Sequence, residues 1–279
     1  MAAERFRSKF IKFYVPLALY LVFLLFPFYW IVNTVFKSDN ELYNLDLNPL
    51  YVHNPTLDNL VRLFTETIFL RWMANTFFVA IFATLISLAT SLLAAYAIQR
   101  LRFKTSGPTG VAIFMGYLVP QTILFIPLAQ IIFKFRLWDS LWSLVLTYPT
   151  FLIPFCTWLL MGYFKSIPQE MEECAMIDGA SRIKVFRKII LPLCLPGVLS
   201  AGIFCFTLSW NEYIYALAFI STTNSKTVPI GLVTELVKGD VFHWGPLMAG
   251  ALCASLPVAL VYAFFVEHYV AGMTGALKE

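Results

Sequence analysis

Charge is scarce in this sequence. Of 279 residues only 13% are Asp, Glu, Lys or Arg, while 59% are hydrophobic, and the mean hydropathy is +0.75. Soluble domains carry about 25% charged residues, so composition excludes an ordinary soluble domain and points to an integral membrane protein. Histidine is rarer still. His53, His243 and His268 lie far apart, and there is neither an H-E-x-x-H pair nor a G-x-S-x-G elbow. The five cysteines, Cys156, Cys174, Cys194, Cys205 and Cys253, are odd in number and contain no C-x-x-C. That supports neither a disulfide framework nor a zinc site. No G-x-x-x-x-G-K-[ST] occurs either: Gly107-Pro108-Thr109-Gly110 runs into Val111, and Lys226-Thr227 has no glycine frame before it. The chain is therefore not expected to hydrolyse ATP itself. A net charge of +4 could suggest nucleic acid, but the basic residues sit in short clusters beside apolar runs, as membrane topology requires.

What is abundant is apolar length. A crossing needs about 20 mainly apolar residues, and six stretches qualify: 13–35, 73–98, 111–133, 141–164, 197–220 and 247–266. The expected fold is an all-α integral membrane protein with six transmembrane helices behind a short arm, 1–12. That arm is basic (Arg5, Arg7, Lys9, Lys12) and resembles the start of a signal peptide, but the run to Val35 is too long and lacks an A-x-A-like site, so it is read as a retained anchor. An even number of spans puts both termini on one side. Thirteen of the 20 Lys and Arg fall on that side: four in the arm, Arg100, Arg102 and Lys104 in the next loop, five in 165–196, and Lys278. Seven fall on the other side, over longer loops, so the termini and the 165–196 loop are placed in the cytoplasm. Outside, 37–71 reads as a structured cap with a short amphipathic helix after Asn54-Pro55, and 228–237 as a re-entrant or interfacial helix. Pro120, Pro127, Pro149, Pro154 and Pro257 lie within the spans, where each removes a helical hydrogen bond; they mark either helices that kink around a cavity or irregular packing alone.

The charged island between the fourth and fifth spans carries the most information. Ser166 and Gln169 have capping-box spacing, with Pro168 in a first-turn position. Glu170, Glu172 and Glu173 would then lie in the first turn of a short helix whose Met171, Cys174 and Ala175 share a face. Asp178-Gly179 signals a turn, after which Ser181 can cap a second, basic helix through Arg182, Lys184, Arg187 and Lys188 to Pro192.

Glu173-Cys174-Ala175, Gly179 and Ile189-x-Leu191-Pro192 are similar, in register, to the EAA loop of ABC-importer permeases, with Cys174 replacing the second alanine. The resemblance extends over almost the whole chain. Asn75-Thr76, Ala94-Ala95-Tyr96-Ala97, Ile126-Pro127-Leu128, Tyr148-Pro149 and Trp210-Asn211-Glu212 resemble the carbohydrate branch, specifically its maltose-type second permease. The resemblance implies a type I importer bundle with a cytoplasmic coupling helix in a multi-pass inner-membrane subunit. It further implies a second permease subunit as heterodimer partner, two cytoplasmic ABC ATPase subunits that bind ATP and Mg, and an extracytoplasmic solute-binding protein. No cofactor is expected on this chain. The coupling residues so implied are Met171, Glu173, Cys174, Ala175, Asp178, Gly179 and Phe186.

For the translocation path the sequence offers Glu212, the one carboxylate well inside a span, roughly 24 Å along a helix starting near Pro196 in a hydrocarbon core of about 30 Å. It is expected to line the path or an inter-subunit contact, or else to serve as a structural hydrogen-bond partner at the outer end of the helix. Trp210, Asn211, Asn75 and Gln121 accompany it as candidates, and Asn75 and Gln121 are equally readable as helix-packing glue. The 17% aromatic content suits stacking on sugar rings, but interfacial belts and apolar filling explain it as well. A passive channel or secondary transporter is the alternative function; a membrane-embedded enzyme would need clustered polar groups that the sequence lacks.

Overall fold

The structure, a computed structural model, describes residues 2–101, 103–238 and 241–275. Arg102 and Lys278, both counted above, lie outside the described residues, as do the side chains of Arg5, Arg7, Lys9, Lys238 and His268. The described chain is almost entirely helical. In order the helices are α1 (Ala2–Val35), α2 (Asp39–Leu42), α3 (Asp58–Thr65), α4 (Phe69–Arg100), α5 (Ser106–Tyr117), α6 (Gln121–Lys134), α7 (Leu141–Thr147), α8 (Pro149–Ser166), α9 (Glu170–Ile177), α10 (Arg182–Val185), α11 (Leu191–Leu193), α12 (Leu195–Trp210), α13 (Ile214–Phe219), α14 (Val228–Leu236) and α15 (Trp244–Gly275). A π-helical turn, Phe186–Ile190, joins α10 to α11, and the strands β1 (Val237–Lys238) and β2 (Val241–Phe242) form a small antiparallel ladder pairing Val237 with Phe242.

Among the described residues, four helical segments are long and apolar enough to cross a membrane, or six if each of two bent pairs counts as one span. The stretch 111–133, which the sequence suggests as one span containing prolines that could kink it, is such a pair: α5 and α6 meet at 94°. Pro120 sits at the break with ψ 131°. A proline supplies no N–H and disfavours a helical residue before it, so the chain turns there. Pro149 starts α8, while Pro127, Pro154 and Pro257 are accommodated inside helices.

The chain divides into two compact units, one formed by residues up to Phe69 with Leu232–Ser255, the other by Leu70–Gly231 with the residues from Leu256 onward. In the first, none of the apolar window of Lys12–Val35 is buried by the chain itself, so lipid or another subunit must cover it. The residues after α1 form a folded segment held by its own polar contacts. Lys37 Nζ donates to Pro49 O at 2.6 Å, and Asn59 Nδ2 donates to Val35 O and Lys37 O at 3.0 and 2.6 Å. Arg62 and Asp39 form an ion pair. The Glu41 carboxylate accepts from the backbone N–H groups of His53 and Asn54 at 2.7 and 3.3 Å and lies 3.0 Å from the His53 ring. Burial by itself would raise its pKa, but these hydrogen bonds outweigh that and leave it below the ordinary glutamate value.

The core of the second unit is built around α8, for 61% of the apolar window in Leu141–Ser166 is buried, against 28% in Phe69–Arg100. Phe151, Leu152, Cys156, Leu160 and Phe164 of α8 pack with Leu144, Val145 and Tyr148 of α7, Ala201 and Cys205 of α12, and Tyr215 and Phe219 of α13. Along α4, Ala83, Ser87, Ser91 and Ala95 are all fully buried. Their four-residue spacing makes one small-residue face, which lets helices approach closely where lipid offers no hydrophobic drive; Ser91 Oγ donates to Ile153 O at 3.2 Å. At the start of α12, a Cβ on Gly197 would lie 2.4 Å from the Tyr163 ring, so glycine is what allows α12 to seat on α8.

Candidate coupling loop and translocation residues

The island does not begin with the capping box that its sequence suggests. Continued to Ser166, α8 turns the Ser166 hydroxyl back onto Tyr163 O at 2.8 Å, and Gln169 caps α9 without a side-chain bond. The other punctuation forms as its chemistry dictates. Gly179 has φ +85°, its N–H donates to Met176 O at 3.1 Å and the Ala180 N–H to Ala175 O at 3.0 Å, which is the paired closure of a Schellman motif. Ser181 then accepts from Lys184 N at 3.4 Å and opens α10. The basic helix does not stop at Pro192: the π turn and α11 carry it to Leu193, and α12 leaves at 74° to it.

Exposure divides α9 into two faces. Glu172 is buried, and Ala175 and Met176 pack against the chain's own core. Glu173, Cys174, Asp178 and Gly179 are exposed, together with Met171 and, at 85% exposure, Ile177. Ala175 therefore faces inward rather than sharing the free face of Met171 and Cys174. Phe186 is half-buried, its ring 4.8 Å from that of Tyr96. Two residues of this region escaped sequence reasoning. Ile177 and Ile183 are 85% and 72% exposed, and the only signal was an isoleucine in an otherwise charged extramembrane stretch. Arg100, visible in sequence only as a topological charge, is an internal partner: its Nε lies 2.9 Å from Glu172 Oε1.

Three of the residues suggested for the path, Asn211, Glu212 and Asn75, hydrogen-bond to backbone groups. Between Trp210 and Ile214 the fifth apolar run is interrupted, which leaves helix-end carbonyls and N–H groups that must find partners away from water. Asn211 Nδ2 donates to Thr207 O at 2.9 Å, closing α12. The buried Glu212 carboxylate accepts from Tyr215 N at 2.7 Å and Ala216 N at 3.1 Å, opening α13. Tyr215 also connects Glu212 to Gln121, because its hydroxyl donates to the Gln121 carbonyl at 3.2 Å. Trp210 is buried with its ring 4.7 Å from Phe77. Asn75 lies apart from these: its Nδ2 donates to Asn224 O and Lys226 O at 2.9 and 2.8 Å, pinning the 222–228 loop to α4. No cluster of metal-ligating side chains occurs among the described residues.

Residues 17–275 match the model of the family described as "Binding-protein-dependent transport system inner membrane component". Among curated proteins, the chain is 35% identical to the sulfoquinovosyl glycerol transport system permease protein SmoH of Agrobacterium fabrum, over 98% of this chain and 95% of that one. It is 33% identical to the trehalose/maltose transport system permease protein MalG of Thermococcus litoralis, with 92% of each covered, and 33% identical over the full length of both chains to the inner membrane ABC transporter permease protein YcjP of Escherichia coli. Among solved structures, a chain of a bacterial ABC transporter that imports the acidic polysaccharide alginate has the same fold, with a TM-score of 0.80 over 94% of this chain and 97% of that chain, at 21% identity.

Proposed function

Because the chain belongs to the binding-protein-dependent transport system inner membrane components and is a permease subunit of an ABC importer, we propose that it forms half of the pathway for a sugar or sugar-like solute and is coupled to ATP through the 165–196 loop. The observation that carries the coupling is the divided surface of α9. One side is fastened to the chain's own core, while the other presents Met171, Glu173, Cys174 and Ile177 outside any apolar run. An amphipathic helix with such a free face suits a groove on a partner. In this reading Glu173 meets a basic group there, and Gly179 lets the two backbones come close.

The partners are a second permease subunit, two cytoplasmic ATPases that hold ATP and Mg, and an extracytoplasmic binding protein; both termini face the cytoplasm. ATP-driven closure of the ATPase pair then moves the spans as near-rigid bodies between inward- and outward-open states. A saccharide is favoured as solute by the relatives, whose names specify sulfoquinovosyl glycerol and trehalose or maltose. The test is reconstitution of the complete complex with its binding protein in liposomes. Uptake of a saccharide that requires both internal ATP and the binding protein is the expected result. Uptake independent of nucleotide would replace the reading with a passive or ion-coupled one.

A further inference from the structure

We propose that Arg100, Tyr96 and Glu172 form a positioning latch that fastens α9 to the C-terminal turn of α4, so that displacement of α9 is delivered to that span. The proposal rests on the coupling reading above and deepens it. Tyr96 and Arg100 are four residues apart on α4 and so lie on one face. The Arg100 and Glu172 side chains are 4% and 9% exposed, and Nε and Oε1 are 2.9 Å apart. Arg100 Nη2 donates to Phe164 O and Ile167 O, both at 2.7 Å. These carbonyls end α8, where helical partners run out and a cation is favoured. Tyr96 OH donates to Glu172 Oε2 at 3.3 Å, and the Tyr96 ring also carries Phe186 of the π turn. One turn of α4 thus holds the end of α8, the start of α9 and the segment after α10.

The burial of the pair is what makes it a latch rather than a surface contact. An exposed ion pair is weak and easily remade in water, whereas separating this one leaves a charge stranded in a poorly solvated site. The connection is therefore stiff, and it lies on the side of α9 opposite the free face, so a partner pulling on that face pulls α4 with it.

The experiment uses the complete reconstituted complex and measures solute transported per ATP hydrolysed, alongside the yield of assembled complex. E172Q keeps the shape of the side chain and removes its charge. The ratio should fall about two- to thirtyfold, the range over which substitutions along a coupling chain act, and E172D should restore much of it. R100K added to E172Q should cost less than R100K alone, since interacting partners are not additive. A purely structural pair would lower yield and leave the ratio of surviving complexes at the wild-type value, which overturns the proposal; additive losses overturn it too. If E172Q fails to assemble, Y96F decides, because it keeps the ring stack and removes only the hydrogen bond to Glu172: a reduced ratio supports the latch and an unchanged one overturns it. I177D, on the free face, tests the docking reading separately. Full coupling in I177D would remove that reading whatever the latch variants do.

Discussion

Gly179 offers two explanations of the same residue that predict opposite orders of substitution. Within the chain it closes α9 in the left-handed region, φ +85°, and a Cβ built there meets nothing within 4 Å. The intrinsic cost of a side chain is therefore conformational rather than steric. For alanine it is about 1–2 kcal/mol, and for asparagine less, because its short polar side chain tolerates this region. Set against a typical stability of about 5–15 kcal/mol, neither should prevent folding. If intrinsic strain were all that mattered, Ala would be worse than Asn. If an ATPase backbone approaches this turn, volume matters instead, and Asn and Asp become worse than Ala. We expect the second order. G179A should assemble and retain most uptake, whereas G179N and G179D should assemble but lose substrate-stimulated ATPase activity and uptake. These are measured on reconstituted complexes normalised to assembled protein. An assembled G179N that transports at the wild-type rate beside a defective G179A would refute the docking argument and leave only the Schellman closure.

The basic asymmetry predicts that single cysteines at Asn54 and Thr223 in a thiol-free background react with an impermeant reagent from outside, and those at Ser106 and Ser181 only from inside; outside labelling at Ser181 would invert the topology. Glu212→Gln keeps one acceptor oxygen for the two N–H groups at the start of α13 and should reduce assembled complex modestly, while Glu212→Leu strands both and should cost about 1–3 kcal/mol for each group left unpaired. Equal yields of the two variants in membranes would remove the capping role. Asp139, in the turn before α7, would be raised by burial, but hydrogen bonds from the Thr222 and Ser221 N–H groups outweigh that and hold it below the ordinary aspartate value. A carboxylate with a depressed folded pKa adds stability that is present above its unfolded pKa and lost as pH falls through the folded one. Hydrogen exchange over 219–222 should therefore accelerate, beyond its intrinsic pH dependence, on acidification below the unfolded aspartate pKa, and Asp139→Asn should abolish that change; the same acceleration in the variant would assign it to another group.

Much of this structure was legible because punctuation in the sequence has local causes. Gly179 and Ser181 act within five residues of themselves, so the turn and the second cap could be read directly, and the amphipathic α3 and apolar α14 lie where their patterns suggest. Hydropathy, in contrast, measures apolar length and says nothing about direction. The run 111–133 holds enough apolar residues to cross, yet its path turns by 94° at Pro120, and the proline could equally have been absorbed as Pro127 was. The interruption after Trp210 was hidden for a similar reason: Asn211 and Glu212 look like polar intruders in a span until the free ends of α12 and α13 show what they bond.

The least legible choice lies between the adjacent glutamates of α9. Glu172 and Glu173 are the same residue type in the same first turn, equally favoured by the helix dipole, and neighbouring positions on a helix point about 100° apart. Periodicity within eight residues cannot decide which turns inward. A residue in another helix decides it: Arg100, whose Nη2 is committed to the carbonyls of Phe164 and Ile167, has its Nε 2.9 Å from Glu172 Oε1. Once one carboxylate is taken up inside, the other is left on the exposed face with Met171, Cys174 and Ile177. On the proposed coupling reading, the two glutamates would separate the loop's two tasks. Changes at Glu172 should act through α4 and alter how motion is delivered, whereas changes at Glu173 should act on what the free face meets. Measuring assembly and coupling side by side in E172Q and E173Q distinguishes them, for E173Q should weaken retention of the ATPase during purification while E172Q leaves it attached and poorly coupled. Identical losses in both measurements would mean that the two faces are not independent.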